Sequence, residues 1–129
     1  INGFGGLAAR MPLYAGMTTL AVFASMGLPG LSGFIGEFLV FLGAFEPYPT
    51  ATIIAVSGVV LTAGYFLWMF RRMFLGPLNP KYENLPDINT REMITLVPLG
   101  LIVIALGVYP MPVINLINVS LEHLITLVK

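Results

Sequence analysis

Three long stretches without a charged side chain constrain the fold of this chain more than any other feature. They are residues Met11–Gly36, Pro47–Phe70 and Met93–Leu121. A helix needs about 20 apolar residues to cross the hydrocarbon core of a bilayer, and each stretch is longer than that. Hydrophobic residues make up 57% of the chain and charged residues only 9%, whereas soluble domains carry about 25% charged residues. The sequence therefore predicts an all-α transmembrane protein.

The first apolar stretch contains a helix-breaking segment. From Met11 to Phe45 its only charged residue is Glu37, and a straight helix of that length would measure roughly 50 Å, well over the bilayer core of about 30 Å. Proline removes a backbone donor and clashes with the preceding turn, and glycine admits non-helical torsions. We therefore predict a discontinuous first helix, with half-helices over Leu13–Met26 and Phe34–Phe45. The break is assigned to the segment Gly27–Gly33, with Pro29, Gly30, Ser32 and Gly33 as its site residues.

The rest of the chain predicts two further spans and one terminal helix. The third span is expected to stop at Tyr109-Pro110-Met111-Pro112, because these prolines cannot continue a helix. Polar residues then recur at spacings of three and four, which predicts an amphipathic helix for the membrane interface or a partner groove. Those polar residues are Asn115, Asn118, Glu122 and Thr126. The predicted spans are residues 13–45, 50–72 and 92–108, followed by the C-terminal amphipathic helix over 113–128.

Basic residues set the expected orientation in the membrane. Arg71, Arg72, Lys81 and Arg91 lie at or within the connection between the second and third spans, whereas the connection around Glu46 has no basic residue. By the positive-inside rule, the loop 71–91 faces the cytoplasm or matrix and Glu46 faces the opposite side.

Composition excludes several classes of function. Six basic and six acidic residues cancel, so the chain has no excess positive charge with which to bind nucleic acid. With no cysteine and a single histidine, His123, we expect no metal site and no iron–sulfur cluster in the chain. The glycine tract at residues 3–6 lacks the βαβ context of a nucleotide-binding motif. We also expect a fragment of a longer protein, because the chain begins at Ile1.

Glu37 is the residue that most needs an explanation. A carboxylate within a membrane segment costs several kcal/mol and by default indicates function. If the helix restarts near Ser32, the serine hydroxyl is expected to cap a free amide, and Glu37 lies about one turn further on. Apolar surroundings favour the neutral form of a carboxyl group, whereas the positive end of the half-helix favours the charged form. Glu37 is therefore a candidate for proton transfer; the alternative is an acid at the outer interface that pairs with a cation elsewhere.

These motifs resemble a known family. Residues 28–38, with the sequence LPGLSGFIGEF, and residues 85–92, with the sequence LPDINTRE, are similar to the C-terminal part of the M-type antiporter-like membrane subunit of respiratory complex I, whose mitochondrial counterpart is chain 4. The segment from Pro29 to Phe34 is shared with the wider proton-antiporter superfamily. The acidic residue at Glu37 and the segment 87–92 point to the M type.

The resemblance implies a function and a set of partners. Glu37 would belong to the proton exit route of NADH:quinone oxidoreductase, and residues 1–129 would be a C-terminal fragment of a proton-antiporter-like domain. NADH, FMN, iron–sulfur clusters and quinone would be held by other subunits. The expected partners are the L-type and N-type subunits, the rest of its own chain and the lipids of a bacterial plasma membrane or mitochondrial inner membrane. Three alternatives remain: a subunit of a multisubunit sodium/proton antiporter, a hydrogenase- or ferredoxin-linked relative, and a purely structural scaffold.

Overall fold

The described part of the chain is helical throughout. The computed structural model describes the backbone of residues 3–128, and the side chains of this range except those of residues 119–120, 122–125 and 127–128. A short 3₁₀ turn at Pro80–Tyr82 precedes the fifth helix, and no strand is present in residues 3–128. The helices are α1 (Leu7–Arg10), α2 (Pro12–Ser25), α3 (Ser32–Phe45), α4 (Pro49–Phe74), α5 (Thr90–Val108) and α6 (Met111–Val128).

Two helices are long and apolar enough to cross a membrane. They are α4, with 26 residues, and α5, with 19. Helices α2 and α3 have 14 residues each and so measure only about 21 Å each. The chain between them is not helical from residue 26 to residue 31, where the sequence predicts an interruption, and both helices begin and end within two residues of the predicted half-helices. The number of spans stays a prediction.

Helices α5 and α6 each begin two residues earlier than predicted. Helix α5 starts at Thr90 rather than at residue 92, because Asn89 caps its first turn. Helix α6 starts at Met111 rather than at residue 113 and includes Pro112, which the first turn of a helix tolerates because its missing N–H would have no partner there. In α6, Asn115 and Leu116 are both exposed, so both polar and apolar residues face outward. The side chains of Glu122 and His123, two of the residues considered in the sequence, lie outside the described set.

The glycine tract at the start of the chain packs against the segment that follows α4. The N–H of Gly6 donates to the carbonyl of Leu75 at 3.3 Å, and the N–H of Asn79 donates to the carbonyl of Gly5 at 3.4 Å. Gly6 has a φ of +63°, and a Cβ added to it would lie 2.6 Å from the backbone nitrogen of Leu78. The close approach of two backbones therefore explains these glycines.

Phe74, the last residue of α4, is the centre of the small core. Its side chain is 1% exposed and packs with Leu7 and Ala15. Its ring lies 4.8 Å from that of Phe70 and 5.8 Å from that of Tyr14, measured between ring centroids. This cluster joins the end of α4 to the start of α2, and so it positions the helix that leads to the break.

Most of the apolar surface of the chain is left uncovered. The accessible surface is 9296 Å², whereas a folded soluble monomer of 14.0 kDa exposes about 6,700 Å². The excess carries large apolar side chains, such as Val60 at 72% and Leu61 at 72% exposed. This surface requires lipid or further protein as a cover.

We expect replacement of Phe74 to disrupt the packing between α1, α2 and α4. In the full-length protein in detergent, Phe74→Ala is expected to lower the free energy of unfolding by about 3–5 kcal/mol, because it empties a buried site. The matched control is Phe45→Ala, since Phe45 is 53% exposed and also ends a helix. Equal unfolding midpoints for the two variants would contradict the assignment of Phe74 to the core.

Candidate functional site

Glu37 lies beside the interruption between α2 and α3. It is the sixth residue of α3, and its side chain is half-buried. Its carboxylate contacts Gly27, since a Cβ added to Gly27 would overlap Oε2 and lie 3.1 Å from Cδ. Side chains on a helix lean toward its N-terminus, and here this lean brings the carboxylate back over the break. Glu46, the other acid of this region, is exposed at the end of α3.

The end of α2 is a Schellman motif with Gly27 as its left-handed residue. The N–H of Leu28 donates to the carbonyl of Phe23 at 3.1 Å, and the N–H of Gly27 donates to the carbonyl of Ala24 at 3.3 Å. These two hydrogen bonds satisfy carbonyls that the end of a helix leaves free. The motif needs a positive φ, and that of Gly27 is +71°. Helix α2 therefore ends at Ser25, and Gly27, the first residue of the predicted helix-breaking segment, provides the left-handed turn that follows it.

The four predicted break residues divide between the interruption and the start of α3. Pro29 and Gly30 are exposed and non-helical, with Gly30 at a φ of +94°. Ser32 and Gly33 are the first two residues of α3. A Cβ added to Gly33 would overlap the carbonyl oxygen of Ala24, so α3 begins in close contact with the end of α2.

The expectation that the Ser32 hydroxyl caps α3 is wrong. The helix begins at Ser32 itself, so the capping position is held by Leu31, whose extended backbone and apolar side chain provide no side-chain cap. One early amide of α3 is satisfied locally, because the N–H of Phe34 donates to the carbonyl of Leu31 at 3.2 Å.

Two glycines of α5, not singled out from the sequence, pack against this region. Gly100 and Gly107 are both buried, and they lie seven residues apart on the same helix face. A Cβ added to Gly100 would meet only the side chains of Leu20 and Met17, at 2.9 and 3.3 Å. A Cβ added to Gly107 would overlap the backbone of Gly30 and Leu31. Small residues at such spacing in an apolar helix are the signal that could have identified them.

Glu37 is the only charged residue of α3, whose other residues, apart from Ser32, are apolar or glycine. Among the described side chains, no ion pair joins Glu37 to a cation. The hydroxyl of Thr19, on α2, donates to the carbonyl of Ala15 in its own helix at 2.6 Å. Within the described residues, no group of three or more His, Cys, Asp or Glu side chains could hold a metal ion. A lone carboxyl group beside non-helical backbone can exchange a proton but offers no redox or metal chemistry.

The segment before α5 caps two helices at the opposite end of the fold. The N–H groups of Leu13 and Tyr14, near the start of α2, donate to the two carboxylate oxygens of Asp87 at 2.9 and 3.0 Å. Two residues further on, Asn89 and Glu92 form a capping box on α5, with hydrogen bonds of 3.0 and 2.9 Å. The segment therefore fixes the start of α2, which leads to the break, and the start of α5, which packs against the break.

The hydrogen bonds to Asp87 change its acidity. Desolvation raises the pKa of the Asp87 carboxyl, but the N–H donors of Leu13, Ile88 and Tyr14 stabilise its charged form, and its pKa lies below the ordinary 3.8. A carboxyl group with a lowered pKa in the folded state stabilises the fold above its unfolded pKa, and this contribution is lost as the pH falls through the folded pKa.

Comparison with protein families identifies the chain. Residues 1–75 match the family described as NADH:quinone oxidoreductase/Mrp antiporter, transmembrane. The chain belongs to this family. It is therefore an integral membrane protein, as its apolar helices indicate, and the predicted resemblance is confirmed.

Relatives of this NADH:quinone oxidoreductase/Mrp antiporter family member match nearly the whole chain. The chain is 43% identical to NADH-quinone oxidoreductase subunit M of Rhodobacter capsulatus over 97% of its length, covering 25% of that protein. It is 38% identical to F(420)H(2) dehydrogenase subunit M of Methanosarcina mazei over 98% of its length, covering 26% of that protein. It is 36% identical to NADH-ubiquinone oxidoreductase chain 4 of Chondrus crispus over 100% of its length, covering 26% of that protein. The chain thus spans about a quarter of these relatives.

We expect Asp87 to make the stability of this family member pH-dependent. Asp87→Asn keeps the shape of the side chain but removes the negative charge that accepts hydrogen bonds from the amides of α2. The thermal unfolding midpoint of this variant at pH 7 is therefore expected to fall below that of the parent. The difference is expected to shrink as the pH falls below about 4, the pKa of an aspartate in an unfolded chain, and to vanish as the pH falls through the lower pKa of the folded carboxyl group. Thermal unfolding of the full-length protein in detergent across pH measures this.

Glu83→Gln is the control for Asp87→Asn, because Glu83 is exposed in the same connection. Its midpoint is expected to follow that of the parent at every pH. An Asp87→Asn midpoint equal to the parent's at pH 7 would contradict the capping role.

Proposed function

We propose that the chain is part of the proton-translocating membrane subunit of NADH:quinone oxidoreductase, respiratory complex I, and that Glu37 carries protons in it. The observation that carries this proposal is the contact of the Glu37 carboxylate with the interrupted backbone at Gly27. Membership of a family described by both the oxidoreductase and the Mrp antiporter supports it. Electron transfer takes place in other subunits, which hold NADH, FMN, the iron–sulfur clusters and quinone.

The chemistry assigned to Glu37 is reversible protonation. Glu37 is half-buried, and a carboxylate is costly in apolar surroundings, so in this proposal water or a counter-charge reaches it when the proton leaves. Non-helical backbone at membrane depth is tolerated where it is buried in protein or lines a water-filled cavity. The non-helical segment that contains Pro29 and Gly30 supplies such backbone beside the carboxyl group, and Ser32 and Gly33 begin the helix that follows it. In this proposal, Glu37 takes up a proton from the inner side and releases it toward the outer side.

The proposed topology has three membrane spans. Helices α2 and α3 together make one discontinuous span of two 14-residue halves, and α4 and α5 make the others. The loop 71–91 faces the cytoplasm or matrix, since it carries most of the basic residues. Helix α6 lies at the interface or against a partner, in a bacterial plasma membrane or the mitochondrial inner membrane.

The chain covers about a quarter of its relatives, which supports the proposal that it is part of a longer protein. We propose that residues 1–129 are a C-terminal fragment and that the rest of its own chain is the first partner. Its uncovered apolar surface suits further helices and lipid. The L-type and N-type antiporter-like subunits are the partners beyond it.

A second candidate differs in the electron donor. The similarity to an F(420)H(2) dehydrogenase subunit M favours a relative of the oxidoreductase that receives electrons from a donor other than NADH. Both candidates assign the same role to Glu37. Identification of the peripheral subunits that copurify with the full-length protein, and of the donor they oxidise, distinguishes the two, since only complex I brings an NADH-oxidising module.

The test is a substitution that removes the proton but keeps the shape. In the assembled complex in proteoliposomes, Glu37→Gln is expected to lower proton pumping about tenfold or more, because a neutral amide cannot exchange the proton. Glu46→Gln is the matched control, since Glu46 is an exposed acid at the end of the same helix. Pumping is measured as acidification of the vesicle lumen driven by NADH.

The outcomes separate a transport role from a scaffold role. Full pumping by Glu37→Gln, with an unchanged ratio of protons to electrons, would defeat the proposal and leave a structural scaffold. Loss of pumping in Glu37→Gln with retention in Glu46→Gln supports it.

A further inference from the structure

Two glycines hold the position of the Glu37 carboxylate from opposite sides of the break. Gly27, at the end of α2, contacts the carboxylate itself. Gly107, near the end of α5, contacts the backbone of Gly30 and Leu31. Leu31 is 8% exposed and immediately precedes α3, the helix that carries Glu37. A shift of the break at Leu31 is therefore passed directly to the start of that helix.

The contact of Gly107 differs in kind from that of Gly100 on the same helix face. At Gly100 an added methyl would meet Cδ2 of Leu20 and Cε of Met17, which are the flexible ends of side chains and can rotate away. At Gly107 it would overlap backbone atoms, which can yield only if the helices or the break move. Gly107 thus sets the distance between α5 and the break, whereas Gly100 only fits α5 against α2.

We infer that Gly107 and Gly27 are positioning residues for proton transfer by Glu37: Gly107 fixes the break from α5, and Gly27 leaves the space that the carboxylate occupies. This inference rests on the proposed function of Glu37. It adds two residues that bear no proton themselves and act only through the placement of the acid.

The first test compares Gly107→Ala with Gly100→Ala in the full-length, assembled complex. Gly107→Ala is expected to lower NADH-driven pumping about tenfold, because a displacement of about 1 Å at a reacting group has effects of this size or larger. Gly100→Ala is expected to retain pumping. The amount of assembled complex is measured for both, so that a loss of pumping is expressed per assembled molecule.

A chemical probe separates placement from general packing. A hydrophobic carbodiimide reacts with protonated carboxyl groups, and mass spectrometry reports the rate at which it modifies Glu37. This rate is expected to change in Gly107→Ala and to match the parent in Gly100→Ala. Equal rates in all three proteins, with equal pumping, would overturn the role of Gly107.

A double-mutant cycle tests Gly27. It also keeps the inference testable if the complex with Gly107→Ala does not assemble. Gly27→Ala places a methyl where Oε2 of Glu37 lies, and Glu37→Asp withdraws the carboxylate by one methylene. The two substitutions are expected to be non-additive, with Glu37→Asp costing less pumping in the Gly27→Ala background than in the parent. Additive losses would overturn the direct contact.

The outcomes distinguish this inference from the proposed function. If Glu37→Gln pumps fully, or if the carbodiimide never modifies Glu37 in the parent, the proposed function fails and the inference fails with it. A different pattern overturns only the positioning role. In that pattern Glu37→Gln abolishes pumping, Gly107→Ala pumps as well as Gly100→Ala, and the losses in the Gly27 cycle are additive.

Discussion

The interruption of an apolar helix between residues 26 and 31 is the constraint on which the rest of the fold depends. A helix that stops in apolar surroundings leaves backbone groups without partners, and each such group is costly unless it is satisfied. The Schellman motif at Gly27 satisfies two carbonyls of α2, and the turn at Leu31 satisfies one amide of α3. The same geometry that ends the helix brings Glu37 against the break. An acid and its interrupted backbone are therefore one structural unit.

The connection between α4 and α5 fixes the starts of two helices, α2 and α5, whose other ends lie at the break. Asp87 receives the first free amides of α2, and Asn89 with Glu92 caps α5. Because α2 and α5 are fixed at their starts by one short segment, their relative height is set there. That height brings Gly107 of α5 level with the break at Leu31. Polar residues at one end of the fold thereby determine a backbone contact near the other.

The uncovered apolar surface of the chain indicates that these contacts lie within a larger assembly. The family is a membrane family, and the chain spans about a quarter of the relatives that it matches. Its accessible surface exceeds that of a soluble monomer of the same mass by a wide margin, and the excess is apolar. Lipid and neighbouring helices therefore complete the packing, whereas the contacts around Glu37 that involve Gly27 and Gly107 are internal to this chain.

The helical class and the interruption follow from the sequence alone, because length, charge and proline are local properties, and the same reading made Glu37 a candidate. It placed the ends of α2 and α3 within two residues, but it misassigned the cap of α3 to Ser32. The prediction missed the capping box of Asn89 and Glu92, although it is a local pattern, whereas no local pattern shows the role of Asp87, which caps a helix that starts 75 residues earlier. The roles of Gly27 and Gly107 could not be predicted, because they depend on which atoms lie within contact distance, and residues far apart in the chain come together only on folding.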